Sequence, residues 1–187
     1  MAAGIRRIEA KTGKECEELL YNIEDALKAI RALFNNAKDL KGVIEKYIEE
    51  HDSMKKSIES FQAEAVEQTK DKLLAQARMV NGVKVVSAVI PMKQDMAKDL
   101  VFKVCAAEPN HILCVIGSMY EGRPTLSVMI SKDLVADHNL NAGQMVREAA
   151  KLIQGGGGGQ PHFATAGGKN PDGLSAAVDK VIELAQL

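Results

Sequence analysis

Val83-Lys84-Val85-Val86-Ser87-Ala88-Val89-Ile90, held between Gly82 and Pro91, is the stretch on which the fold turns. Five of its eight residues are β-branched, stiff side chains that fit a pleated surface better than a helix. Glycine and proline at its two ends punctuate the run, so it predicts a strand. Beyond it, Met92 to Cys105 spaces Met96, Leu100, Val101 and Val104 as a helix does. Ile112 to Met119 is apolar enough for a central strand, and Glu121-Gly122-Arg123-Pro124 carries turn chemistry. Leu126 to Ile130 can then return as a hairpin partner, with helical segments at Ala142 to Gln154 and Leu174 to Leu187. The order β-α-β-β-α-α predicts a small α/β domain over 81–187, with a mixed sheet and helices packed on it.

Upstream, the texture is helical. Leu20, Ile23, Leu27, Ile30 and Phe34 recur at threes and fours, placing them on one helix face, and Asn35-Asn36 offers a stop. A second helix carries Leu40, Ile44, Tyr47, His51, Met54, Ile58, Phe61 and Ala65 as a heptad seam. A long helix with one narrow apolar stripe needs a partner. Residues 15–80 are therefore expected to form a helical hairpin or coiled-coil arm, with Tyr47, Met54, Ile58 and Phe61 as the dimerisation residues. His51 reads as a packing residue on the seam. Glu45, Lys46, Glu49, Lys55 and Lys56 read as a solvated face.

The sequence also holds Gly155 to Gly159, followed by Gln160-Pro161-His162-Phe163 and a second pair, Gly167-Gly168. Each glycine loses more backbone entropy on ordering than any other residue, so a structured run implies a requirement: close approach to a ligand, or positive φ. Glycine-rich composition also suits a flexible linker, but Pro161, Phe163 and the second glycine pair argue for a structured binding loop. Backbone N–H groups of Gly156, Gly157, Gly158 and Gly159 can face phosphate or ribose oxygens. Lys169 can neutralise a phosphate; Gln160, His162 and Asn170 can donate to ribose hydroxyls or base edges. His162 or Phe163 can stack on a base, with core packing preferred for Phe163. Arg147 and Lys151 either aim at the loop or are simply solvated.

The 187 residues can bury a sizeable core, and 26% charged with 46% hydrophobic residues is ordinary for a soluble protein. Without an apolar run of membrane-spanning length or a signal peptide, the expected location is the cytoplasm. Net charge is −1, with 14 basic and 15 acidic residues in 1–80 and ten of each in 81–187. Any RNA contact must then rest on a local patch. Cys16, Cys105 and Cys114 are odd in number and widely spaced, which predicts reduced thiols, with Cys114 buried in a strand rather than a metal ligand. No Walker loop, no strand-linked dinucleotide fingerprint and no His-Glu-x-x-His or Gly-x-Ser-x-Gly motif is present, so the chain reads as a binding module.

Gly155 to Gly159, Pro161, Ala164-Thr165-Ala166-Gly167-Gly168 and Pro171-Asp172-Gly173-Leu174 resemble the C-terminal domain of alanyl-tRNA synthetases, a DHHA1-type domain of the group that accompanies the DHH phosphoesterases. Ala2-Ala3-Gly4-Ile5-Arg6-Arg7-Ile8-Glu9-Ala10 resembles the last strand of those enzymes' editing domain, which makes 1–14 an editing-domain remnant expected to fray or extend the first helix. The family often has an arginine directly after the glycine run and an acidic residue two positions later; here Gln160 and His162 stand there. The resemblance implies a fragment that grips the tRNA elbow and dimerises, helping aminoacylation and editing act on one tRNA. It implies no cofactor in this fragment, the parent's ATP, Mg and Zn being held elsewhere, and neither catalytic nor editing site. Neither DNA nor membrane is an expected partner. Two rival readings are a pure oligomerisation module and the substrate-binding half of a DHH-type phosphoesterase. Alanine at Gly157 and Gly158 is expected to damage RNA binding alone.

Overall fold

The computed structural model describes residues 10–186. Residues 1–9, on which most of the editing-remnant expectation falls, lie outside the described residues. The chain divides into two compact units, 1–58 and 59–187.

In the first unit, helix α1 (Lys14–Leu33) has Glu15 and Glu17 in its first turn and Arg31 in its last, signs that complement the helix dipole. It ends where Asn35 and Asn36 take left-handed φ of 53° and 54°, a conformation asparagine tolerates better than most residues. Helix α2 (Leu40–Ala75) starts after Asp39, whose carboxylate accepts the Gly42 N–H at 3.0 Å as an N-cap. Phe34 meets Tyr47 edge-on, ring centroids 6.3 Å apart. That contact closes the turn and little else. Helix α1 buries no residue, and Leu20 and Ile23 remain 61% and 56% exposed. Folding back on α2 therefore does not cover the apolar stripe, and the seam residues Tyr47, Met54 and Ile58 stay more than half exposed.

The second unit is built on a six-stranded sheet. Its strands are β1 (Arg78–Val80), β2 (Val83–Ile90), β3 (Ile112–Tyr120), β4 (Arg123–Ile130), β5 (Gly156–Gly159) and β6 (Phe163–Gly167), in the order β1-β2-β3-β4-β6-β5. Only β2 and β3 run parallel, joined by helix α3 (Gln94–Ala107) as the crossover such a pair requires. Helices α4 (Lys132–Asp137), α5 (Ala142–Ala150) and α6 (Leu174–Ala185) complete the unit.

Strand alternation sends side chains to two cores. Val83, Val85, Leu113, Val115, Leu126, Val128, Ala164 and Ala166 pack against α5 and α6. On the other face Val86, Ile112, Cys114 and Ile116 pack against Ala97, Leu100, Val101 and Val104 of α3, together with Val66 and Leu73 of α2. Residues 59–80, read from the sequence as the end of the arm, thus belong structurally to this unit. The Cys114 thiol is held well above its ordinary pKa by its hydrogen bond to Cys105 and by burial, so it is an inert core residue.

Three local differences from the sequence reading have physical reasons. Asn81-Gly82, read as the break between two parts, is a two-residue hairpin turn with φ of 47° and 84°, joining β1 to β2. Glu121-Gly122 is a second such turn, with φ of 50° and 73°, so Arg123 and Pro124 belong to β4. The helix expected over Ala142 to Gln154 ends at Ala150; Gln154 takes φ of 50°, and Gly155 N–H donates to Ala150 O at 2.9 Å, a helix-terminating turn.

Candidate nucleic-acid interface

The glycine run is neither a loop nor a place of positive φ. Gly156–Gly159 form edge strand β5, paired antiparallel with β6, and no residue from Gly155 to Gly159 lies in the left-handed region. What requires glycine is packing. A side chain would meet Gly167 O at 1.9 Å from Gly155, Thr165 O at 2.3 Å from Gly157 and Phe163 O at 2.3 Å from Gly159. At Gly158 the nearest neighbour is the Arg147 guanidinium, at 3.6 Å, which is ordinary contact.

The hairpin closes tightly. Gln160 and Phe163 exchange both backbone hydrogen bonds, at 2.8 and 3.2 Å, across Pro161-His162. Ala142 N–H donates to Pro161 O and Ile130 N–H to His162 O, pinning the turn to α5 and β4. From that closing pair the antiparallel ladder alternates, giving the N–H groups of Gly158 and Gly156 to β6 and directing those of Gly157 and Gly159 to the open edge of the sheet. The outer side of Gly159 faces Gly143 at the start of α5, where a Cβ would stand 3.0 Å from Gly159 O, so Gly157 has the donor best placed for a ligand.

The other sequence-predicted residues separate into two groups. Gln160 and His162 stand at the turn; Lys169 and Asn170 follow the far end of β6, about 13 Å away along four residues of strand. Asn170 is engaged in the fold, its side-chain amide donating to Leu152 O at 3.2 Å, while the backbone N–H groups of Lys169 and Asn170 share Ile153 O. Phe163 packs against Phe102, centroids 4.7 Å apart and rings tilted by 42°, beside the α3 core. That contact suits the packing role, and Phe163 stays half-buried. Lys151 is paired with Glu148 at 2.6 Å, whereas Arg147 lies against Gly158.

Lys169 does lie in a cleft, with partners the sequence reading missed. A 410 Å³ cavity is lined by Gln94, Arg123, Thr125, Gln154, Lys169 and the glycines at 155, 156, 167 and 168. Arg123 was hidden because Glu121-Gly122-Arg123-Pro124 reads as a turn. The Tyr120–Arg123 pairing that places it at the mouth of β4 depends on the hairpin register. Just beyond, Lys93 Nζ sits 5.1 Å from the ring centroid of Tyr120, a cation–π contact.

Charge on the unit is uneven despite its balance. Lys84, Lys98, Lys103, Lys151 and Lys180 are each paired with a carboxylate. Arg123, Arg147 and Lys169, like Lys93 and Lys132, form no ion pair with any described carboxylate, and the first three flank β5. Among the described residues no cluster of His, Cys, Asp and Glu can hold a metal ion, and no helix is long and apolar enough to cross a membrane.

Comparison with known proteins agrees with this architecture. The DHHA1 domain family matches residues 81–187. Alanine–tRNA ligase of Bacteroides fragilis is 51% identical over 185 residues, which covers 99% of this chain and 21% of that protein. The enzymes of Porphyromonas gingivalis and Flavobacterium psychrophilum are 42% and 34% identical, covering the whole chain and again 21% of each relative. The chain thus spans about a fifth of the length of these relatives. Among solved structures, the C-Ala domain of Aquifex aeolicus alanyl-tRNA synthetase superposes with a TM-score of 0.53 at 23% identity, covering 59% of this chain and 98% of that domain. The chain belongs to the DHHA1 domain family, and along its length it resembles the alanyl-tRNA synthetase members of that family.

Proposed function

We propose that this chain binds tRNA and self-associates as the C-terminal part of an alanyl-tRNA synthetase, holding the tRNA elbow so that aminoacylation and editing act on one tRNA. The observation that carries the proposal is the grouping of Arg123, Arg147 and Lys169, free of ion pairs with described carboxylates, around a bare glycine edge strand. Such a surface reads backbone and shape: cations for phosphates, the outward N–H of Gly157 for a phosphate or ribose oxygen, and no side chains on β5 to hold the RNA off. It offers little to distinguish bases, so alanine identity is read elsewhere in the enzyme. The exposed seam on α2 supports the association role.

The test is binding of several tRNA species across a salt titration, wild type against Arg147→Gln. Similar affinity for all species is expected, with the variant losing about 0.7–0.9 from the slope of log K against log salt for each phosphate contact removed. Strong preference for one tRNA, or an unchanged slope in the variant, would overturn the reading.

A further inference from the structure

Packing accounts for most glycines around the hairpin, since side chains at Gly155, Gly157, Gly159 and Gly168 would run into backbone within 2.3 Å. Three glycines have no such reason: Gly158, in ordinary contact with the Arg147 guanidinium at 3.6 Å, and the pair Gly156 and Gly167, which meet nothing at all. Gly156 and Gly167 are register partners across β5 and β6. Neither has left-handed φ, and a Cβ built on either meets nothing within 4 Å. They stand at strand ends, Gly156 opening β5 and Gly167 closing β6, and glycine in a sheet often marks close approach of a ligand or another backbone. No other backbone approaches here, and both residues line the 410 Å³ cleft with Arg123 and Lys169.

We propose that this cleft is a phosphate-binding site, with the charge supplied by Arg123 and Lys169 and the Gly156/Gly167 pair forming a bare floor against which the oxyanion rests. Three further features fit an anion. No carboxylate lines the cleft. Asp95, the acidic residue next to it in sequence, is paired with Lys98 at 4.0 Å. Gln94, on the cleft wall, opens the fourteen-residue helix α3, which has no side-chain cap, so that the positive end of the helix dipole adds to the two cations. Arg123 presents a planar fork suited to two phosphate oxygens, and Lys169 a point charge.

The cleft is larger than a phosphate group alone. It adjoins a 140 Å³ recess lined by Met92 and Tyr120, which shares Gln94, Arg123 and Thr125 with it. The phosphate it takes is therefore one carried on a sugar, either within an RNA chain or on a free mononucleotide. The proposal rests on the tRNA reading only for the choice between these sources; the site itself can be tested without RNA.

The experiment is a titration of the isotope-labelled chain with inorganic phosphate and then with adenosine monophosphate at low ionic strength, followed in ¹H–¹⁵N spectra. Wild type is compared with Arg123→Gln, with Gly156→Ala/Gly167→Ala, and with Lys132→Gln as a control cation outside the cleft. Saturable shifts of the Gly156, Gly167 and Lys169 amides are expected, about tenfold weaker in Arg123→Gln, as for loss of a charge-assisted hydrogen bond. The double alanine variant, whose methyls enter open space, should melt like wild type apart from the gain usual for glycine replacement, and also bind weakly; Lys132→Gln should bind normally. Shifts that never saturate, or that saturate identically in Arg123→Gln, overturn the proposal. A parallel tRNA titration identifies the source. Weaker tRNA binding by Arg123→Gln assigns the site to an RNA phosphate, and unchanged tRNA binding alongside lost phosphate binding assigns it to a free nucleotide. Phosphate failing while tRNA still binds sinks this site and leaves the tRNA reading standing.

Discussion

Alanine at Gly157 and alanine at Gly158 should have opposite effects on stability, although the two positions are adjacent in a run of five identical residues. At Gly157 the new methyl would stand 2.3 Å from Thr165 O and 2.5 Å from both Cα and Cβ of Ala166, where optimal separation is about 3.5–4.0 Å. The shortfall exceeds 1 Å, and the atoms in the way are mostly backbone of β6, held from its other side by β4. Strand β5 must therefore back off the sheet edge. Overpacking of this kind costs about 1–3 kcal/mol, and rigid backbone puts it toward the upper end. Against it stands the usual gain of about 0.4–1 kcal/mol from restricting the unfolded chain, leaving a net loss of about 2 kcal/mol. At Gly158 the methyl meets Nε and Nη2 of Arg147 at 3.6 Å, so the unfolded-chain term wins and the variant gains about 0.5 kcal/mol. Urea unfolding reads both, and thermal melts should place Gly157→Ala roughly 4–8 °C below wild type. Equal stabilities for the two variants, within about 0.5 kcal/mol, would refute close strand packing as the reason for the run. The asymmetry also corrects the expectation that alanine at both positions damages RNA binding alone, because the Gly157 change strains the hairpin first.

Other outcomes follow from single contacts. Burial pushes the Asp133 carboxyl up, but hydrogen bonds from Ser131 and from the His111 N–H at 2.8 Å outweigh it and hold it below the ordinary range. A depressed folded pKa gives stability that is complete above the unfolded value of about 3.9 and lost as pH falls through the folded one. The stability gap between wild type and Asp133→Asn should therefore shrink as pH falls below about 4; a gap independent of pH over that acid range in urea melts would contradict this. Phe163→Ala should cost about 2 kcal/mol, as a half-buried aromatic in contact with Phe102, and leave tRNA affinity unchanged. Lost affinity at unchanged stability would instead assign Phe163 to base stacking. Tyr47→Glu and Ile58→Glu, at positions 59% and 55% exposed, should alter unfolding by less than about 0.5 kcal/mol while abolishing self-association in sedimentation. Persistent association would move the interface off the seam.

The α/β core was legible in the sequence because its strands are apolar on both faces, as a sheet covered on both sides must be. Val83–Ile90 and Ile112–Tyr120 carry that signature without ambiguity. The short edge strand Arg78–Val80 was not legible as a strand, since the helical pattern runs almost to it; the Asn81-Gly82 dipeptide was the available signal, read as a break instead of a hairpin turn. The glycine run announced a constraint but not its kind. Composition cannot distinguish a backbone approached by a ligand from one approached by its neighbouring strand, and here most of the run answers to the second. Gly156 and Gly167 differ from the rest only in what surrounds them. Arg123 and Lys169 lie 46 positions apart in the chain, and only the β4–β6 register, which sets Thr125 opposite Gly167, brings them to one cleft.

The burial of Val66 and Leu73 against α3 and the sheet changes where this protein can be cut. A fragment beginning at residue 81, where the family match begins, would leave the α3 layer without its outer cover, strip β2 of its edge partner β1, and expose an apolar face to solvent. The compact unit itself starts near Glu59, inside a helix instead of at a loop. Grafting this domain with its α3 cover and its β1 edge intact therefore means carrying the last turns of α2 with it.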